Sequence, residues 1–212
     1  MISLSINKLG KKFNREWIFR DLSLEIAANQ KLVILGGNGS GKSTLLQVLS
    51  GFVSANEGEV IYRLGDKKIE ADHLRKSISL ASPYLQLVED FTLMEMIEHA
   101  QIFKPFLKNL SAQDLLSIIE LKEAKDKLIK QFSSGMKQRL KLGLAILADT
   151  QLLLLDEPVS NLDRKAIEWY KHLIGAYCKE RMVIVCSNAI AEEYFFCEAE
   201  LNVMDYKVSA KK

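Results

Sequence analysis

Apolar residues along this chain recur at two spacings, and the change from one to the other separates strand-bearing from helix-bearing stretches. Ile2 to Ile6 and Ile18 to Ile26 alternate apolar with polar positions, and the polar stretch Gly10 to Arg15 between them reads as the link of a strand pair. Lys31 to Leu35 is an apolar run too short for a helix, whereas Ser43 to Leu49, beyond a glycine-rich segment, continues as one. Gly51 and Gly58 punctuate the chain, Glu59 to Leu64 with Gly65-Asp66 reads as a hairpin arm, and Ser77 to Ala81 as another strand closed by Ser82-Pro83. From Thr92 the period lengthens: Leu93, Met96, Ile97, Ala100 and Phe103 share one helical face, which Pro105 ends. Ser111 to Asp114 has the order of a capping box before a helix that buries Leu115, Ile118 and Ile119. Met136, Leu140, Leu144 and Leu147 mark a further helix, with Lys137 and Lys141 on its wet face. The leucines of Gln151 to Leu155, ending in Asp156-Glu157-Pro158, and the run Met182 to Cys186 read as strands buried on both faces. Ile167, Tyr170, Ile174 and Tyr177 give the helix between them, and the tail from Val208 to Lys212 reads as frayed.

Strands alternating with helices predict an α/β fold with a parallel-sheet core, and 212 residues suffice for one such domain over 1–212 with a small attached subdomain. Twenty-nine Lys and Arg against 27 Asp and Glu leave a net charge of +2, too balanced to imply direct contact with nucleic acid. The longest apolar runs, such as Leu142 to Ala148, stop far short of the ~20 residues of a membrane span. The first residues alternate like a strand and lack the layout of a signal peptide, which implies a cytosolic protein. Cys178, Cys186 and Cys197 have no C-x-x-C spacing and read as reduced thiols.

Chemistry enters with Gly36-Gly37-Asn38-Gly39-Ser40-Gly41-Lys42-Ser43-Thr44, which fits G-x-x-x-x-G-K-[ST] and lies between a strand and a helix, as a phosphate-binding loop requires. Glycines let successive N–H groups point inward, and the helix start adds its positive end. Lys42 would supply a point charge to the β- and γ-phosphates, and the Ser43 hydroxyl a hard oxygen for Mg²⁺. Asp156, at the carboxyl end of a buried strand, is placed to complete the metal shell. Glu157 beside it is the candidate to polarise an attacking water.

With these motifs the chain, from about Ile2 to Asp205, resembles the nucleotide-binding subunit of ATP-binding-cassette (ABC) transporters. Phe132-Ser133-Ser134-Gly135-Met136-Lys137-Gln138-Arg139-Leu140 looks like that family's LSGGQ signature, with Ser134 for its first glycine and Met136 for its glutamine. The resemblance implies a P-loop NTPase of the ABC ATPase type, with an antiparallel β subdomain and a helical insert over about residues 90–135. It further implies that Ser133 and the Gly135 backbone reach the γ-phosphate of an ATP held by the opposite subunit. Ser160-Asn161-Leu162-Asp163 matches the S-x-L-D segment that crosses the family's dimer interface, and Asp163 could equally cap a helix. Phe13 stands at the spacing of the adenine-stacking aromatic, with Trp17 as its competitor.

Two positions depart from the pattern. Asn188 stands where the family places a histidine that contacts the γ-phosphate, and it can neither titrate nor carry charge. The slot of the family's metal-sensing glutamine holds Pro83 or Tyr84, and Gln86 could serve in its place if the loop shifts. The resemblance implies an ATP- and Mg²⁺-dependent ATPase subunit, working as a homodimer or heterodimer at the inner face of the membrane. Separate integral membrane subunits would receive its motion around Tyr84 to Phe91. The short chain and its signature look most like small exporter-type ATPases, the ABC-2 and haem-exporter groups. Two further readings are a nucleotide-binding regulatory module that hydrolyses little and a soluble ABC ATPase of repair, translation or cluster assembly.

Overall fold

The computed structural model describes residues 1–208; the part of the predicted frayed tail from Ser209 to Lys212 lies outside the described residues. β1 (Ile2–Phe13) and β2 (Glu16–Ile26) form the predicted antiparallel pair. Gly10 to Arg15 is a continuation of that pairing rather than a link: Lys11 faces Phe19, Lys12 faces Trp17 and Phe13 faces Glu16, so Asn14 and Arg15 alone turn. Polarity there marks the wet face of a sheet, and register shifts between Ile6 and Lys12 break the alternation that would have announced it.

β3 (Lys31–Leu35) leads into α1 (Lys42–Leu49), and β4 (Glu57–Leu64) returns beside β1 before β5 (Lys67–Lys68) closes the hairpin predicted at Gly65-Asp66. The antiparallel sheet thus runs β2-β1-β4-β5. α2 (Ala71–Ser77), a short helix without a predicted counterpart, precedes β6 (Ile78–Ala81). α3 (Leu93–Phe103) starts at a capping box in which Thr92 and Glu95 satisfy each other's backbone N–H, and Ser111 and Asp114 do the same for α4 (Ala112–Ile118). Of the three residues expected under α4, Leu115 and Ile119 are buried and Ile118 is half-buried.

α5 (Ser134–Leu147), β7 (Leu152–Asp156), α6 (Arg164–Tyr177), β8 (Met182–Ser187), the short α7 (Ala191–Tyr194) and β9 (Ala199–Asn202) complete the chain. β6-β7-β8-β3-β9 is a sheet of parallel strands, and period two sorts its side chains to two cores. Leu153, Leu155, Val183 and Val185 face one way, among α3 to α6. Leu152, Leu154, Ile184 and Cys186 face the other, with Leu45 and Leu49 of α1 and with Leu4, Ile6 and Phe19 of the antiparallel sheet. Both faces are covered, which is why these strands read as unbroken apolar runs.

The end of α5 is held by a cation. Arg181, 5% exposed, donates to the carbonyls of Ala145, Ile146 and Ala148 and to the hydroxyls of Ser79 and Thr150, at 2.7–3.3 Å. A guanidinium at a helix carboxyl end meets both the unpaired carbonyls and the negative end of the dipole. Burial pulls its pKa down, yet its five acceptors favour the charged form. Arg181→Ala should strand those acceptors and lower the unfolding free energy by about 3–5 kcal/mol, measured by denaturant titration.

Candidate nucleotide-binding site

Carboxyl ends of parallel strands release the chain on one edge of the sheet, so the segments after β3, β6, β7 and β8 converge. Asn38 to Thr44 after β3 line a cavity of about 490 Å³ together with Ile18, Tyr84, Glu157 and Asn188. Gly36 precedes this lining and contributes its carbonyl. Gly41 has φ 106°, and a Cβ there would strike the Ile18 side chain, so a residue without one is needed to turn into α1. Ser40 Oγ is buried in the loop with no hydrogen-bond partner of its own.

Lys42 is 4% exposed, and its ammonium donates to Gly36 O (2.8 Å), Gly37 O (3.1 Å) and Asn188 Oδ1 (2.7 Å). Asn188 Nδ2 in turn donates to Glu157 Oε1 at 2.7 Å. The neighbours fix the amide: reversed, it would set its NH₂ against an ammonium and its oxygen against a carboxylate. Asn188 therefore joins the phosphate-loop lysine to the carboxylate at the end of β7. Glu157 itself has φ 46°, a left-handed conformation held by its N–H on Cys186 O (3.0 Å) and by Ser160 N–H on its own carbonyl (3.0 Å).

Asp156, 2% exposed, accepts from Ser82 Oγ at 3.2 Å through Oδ2, while Oδ1 has no partner. Burial pushes its pKa up, the Ser43 and Ser82 hydroxyls pull it back, Glu157 adds to the rise and Lys42 opposes it. An orphaned carboxylate oxygen near the Ser43 and Ser82 hydroxyls suits a hard cation. Among the described residues no three His, Cys, Asp or Glu side chains gather as a metal cage. Such a donor set fits Mg²⁺, which is held by one or two carboxylates plus phosphate and water.

Gln86 does not join this group: it is exposed and lines neither the cavity nor the neighbouring groove. A turn closed by Leu85 N–H on Ser82 O (3.1 Å) brings Ser82 to Asp156 and Tyr84 to the cavity instead. Lys141 holds that turn from α5 by donating to Ser82 O (3.3 Å) and Pro83 O (2.8 Å). Lys137 and Lys141 are both half-buried, and Lys137 reaches the surface to pair with the exposed Glu89 at 2.7 Å. Ser82, Lys141 and Ile18 were missed from sequence; Ser82 at the end of an apolar strand was a signal, whereas the other two carry none.

Phe13, 46% exposed at the end of β1 with the Lys11 ammonium over its ring, lies outside the cavity lining. Trp17 packs between Lys12 and Arg20. Ser133 is exposed and caps α5 through Met136 N–H (3.2 Å). A Cβ on Gly135 would sit 3.1 Å from Asn161 O, and Gln138 Nε2 donates to Pro158 O at 2.8 Å, so the first turns of α5 lie on the segment that follows Glu157. Asp163 caps α6 through Ala166 N–H (2.8 Å). Within one chain, Ser133, Gly135 and Asp163 are thus outside the cavity lining.

A strand, glycine loop and helix, faced by an Asp-Glu pair at the end of a neighbouring parallel strand, define a P-loop nucleotide-binding protein. The family profile described as ABC transporter matches residues 19–160, and the chain belongs to that family. It is similar to the lantibiotic transport ATP-binding protein SrtF of Streptococcus pyogenes, at 29% identity over 90% of this chain and 81% of that protein. The cytochrome c biogenesis ATP-binding export protein CcmA of Reclinomonas americana is 27% identical over 88% of this chain and 84% of its own length. Among solved structures, a dimeric ATP-binding cassette in a post-hydrolysis state with ADP and Pi superposes with a TM-score of 0.81 at 23% identity, covering 99% of this chain and 97% of that one. The fold is that of ABC ATPases, and the chain is an ATP-binding subunit of the ABC transporter family. Lys42→Ala should weaken ATP binding about 10- to 150-fold, the worth of hydrogen bonds to a charged group, as read by equilibrium titration.

Proposed function

We propose that the cavity at the carboxyl edge of the parallel sheet holds Mg·ATP and that Glu157 is the base for its hydrolysis. The observation that carries this reading is the convergence of Lys42, Glu157 and Asn188 on one cavity, with Asp156 beside Ser43 in the adjoining groove. Asn38 to Thr44 would wrap the phosphates with backbone N–H groups, and the Lys42 ammonium would exchange Gly36, Gly37 and Asn188 for phosphate oxygens. Asn188 Nδ2 would offer its second N–H to the γ-phosphate while the first keeps Glu157 oriented. Magnesium would be held by Ser43 and Asp156 and, when bound, would supply neutralisation of phosphate charge. Phe13 would stack on the adenine from the exposed end of β1.

One nucleotide-binding domain spans the chain in this reading, and two copies, or this chain and a sister, close head to tail over two ATP. Ser133 is exposed at the tip of α5, where its hydroxyl and the N–H groups of the first turn can meet the partner's γ-phosphate. Asp163 and the segment before it would lie between the two sites. Closure is favoured because the γ-phosphate gains hydrogen bonds from both chains, and hydrolysis removes that difference.

Among the described residues no helix is long and apolar enough to cross a membrane. Integral membrane subunits would take up the motion at the groove of about 310 Å³ beside the nucleotide cavity, where Phe52, Tyr84 and Leu85 are exposed. The subunit would then work at the inner membrane face, in a transporter of the exporter type. Glu157→Gln should lower kcat by about 100-fold or more while ATP-driven dimerisation persists, followed by phosphate release and by gel filtration with ATP. A variant that turns over like wild type, or a chain that stays monomeric with ATP, overturns the reading.

A further inference from the structure

Beneath the catalytic loop lies a carboxyl group that the mechanism does not use. Glu193, on α7, is 0% exposed, although its neighbour Glu192 is exposed. Its Oε1 accepts from Val159 N–H at 3.4 Å, the Ser187 hydroxyl lies close enough to lower its pKa, and Oε2 has no partner. Tyr170 of α6 fixes the backbone at this point by donating to Glu193 O at 2.8 Å. The charged groups that face it are the carboxyls of Asp156 and Glu157, and the other titratable neighbours are Cys186 of β8 and Tyr170, both kept protonated by burial. No cation compensates it among the described ion pairs, and an apolar residue would fill the space at lower desolvation cost.

The contacts give a reason for a carboxyl here. Val159 lies two residues after Glu157, and Ser187 directly precedes Asn188. One side chain therefore bonds the backbone after Glu157 and lies beside the hydroxyl of the residue before Asn188, next to both segments that present the Asn188–Glu157 hydrogen bond. These backbones are strained: Glu157 and Ala189 sit at φ 46° and 65°, conformations that persist only where the surroundings hold them. We propose that Glu193 is a positioning residue for hydrolysis, clamping the chain after Glu157 to the strand end before Asn188 so that base and amide stay aligned above it.

Ionisation of Glu193 would add a further negative charge beside Asp156 and Glu157. Burial, the largest cause, pushes the Glu193 pKa up to about 7; Ser187 and the Val159 N–H pull it down, and Glu157 and Asp156 raise it further. Below that value the group is protonated, and above it a third carboxylate faces Asp156 and Glu157. Because the folded pKa exceeds the unfolded one, the contribution to stability is complete below the unfolded value of about 4.5 and is lost as pH rises through about 7. Glutamine keeps the shape and cannot ionise.

The inference rests on Glu157 as the base, so purified wild type is compared with Glu193→Gln, Glu193→Ala and Glu157→Gln. Glu193→Ala should lower kcat about tenfold or more with KM for ATP changed less than about twofold, the signature of lost alignment rather than lost binding. Glu193→Gln should stay within about twofold of wild type near pH 6 and exceed it near pH 8, while its melting temperature gains on wild type across the same range. Wild-type turnover in Glu193→Ala, or a Glu193→Gln pH profile that superposes on wild type, overturns the proposal. If Glu193→Ala does not fold, the profile of Glu193→Gln decides alone. Full turnover in Glu157→Gln would show instead that the assignment of the base had failed.

Discussion

A sheet covered on both faces can offer polar chemistry at its strand ends and nowhere else. That constraint governs this chain: β7 and β8 are apolar on each side until their last residues, where Asp156 and Ser187 emerge at the carboxyl edge with Glu157 and Asn188 next in line. β3 opens its glycine loop at the same edge, and Ser82 follows the last residue of β6 there. Because parallel register fixes the strands relative to one another, residues more than a hundred positions apart, such as Lys42 and Asn188, meet without needing a shared loop.

The charges gathered at this edge are unevenly balanced. Among the described residues Lys42 is the ammonium bonded into the cluster, donating to two loop carbonyls and an amide. Asp156, Glu157 and Glu193 are left with hydroxyls, an amide and backbone N–H groups as partners. Excess negative charge in a half-dry site is poised for cations, and its relief by a divalent ion arriving with a polyphosphate would make binding and local order one event.

α5 ties this edge to the rest of the molecule. Arg181 anchors its carboxyl end, Lys141 holds the turn after β6, Gln138 reaches Pro158, and its tip presents Ser133. A displacement at the exposed tip is therefore felt at the turn that supports Asp156 and at the segment behind Glu157. The linkage is made of hydrogen bonds to backbone carbonyls, charge-assisted from Arg181 and Lys141 and neutral from Gln138, which are more directional than apolar contacts.

Period and punctuation in the sequence determined the order of strands and helices, the phosphate loop, and the acidic pair, because these depend on local spacing and on backbone conformations few residues accept. Unbroken apolar runs declared β7 and β8, and Ser111 and Asp114 declared α4, since each rule acts within a few residues. The bulged continuation of β1 through Gly10 to Phe13, the edge strand β9 and the short α2 carried no such signal. The tertiary structure alone decided that Gln86 points away while Ser82 and Tyr84 reach the site, that Lys141 is a tether, and that Glu193 lies buried under the catalytic loop. Each of those facts is a meeting of segments far apart in the chain, set by strand register and helix packing, and no window of sequence contains both partners.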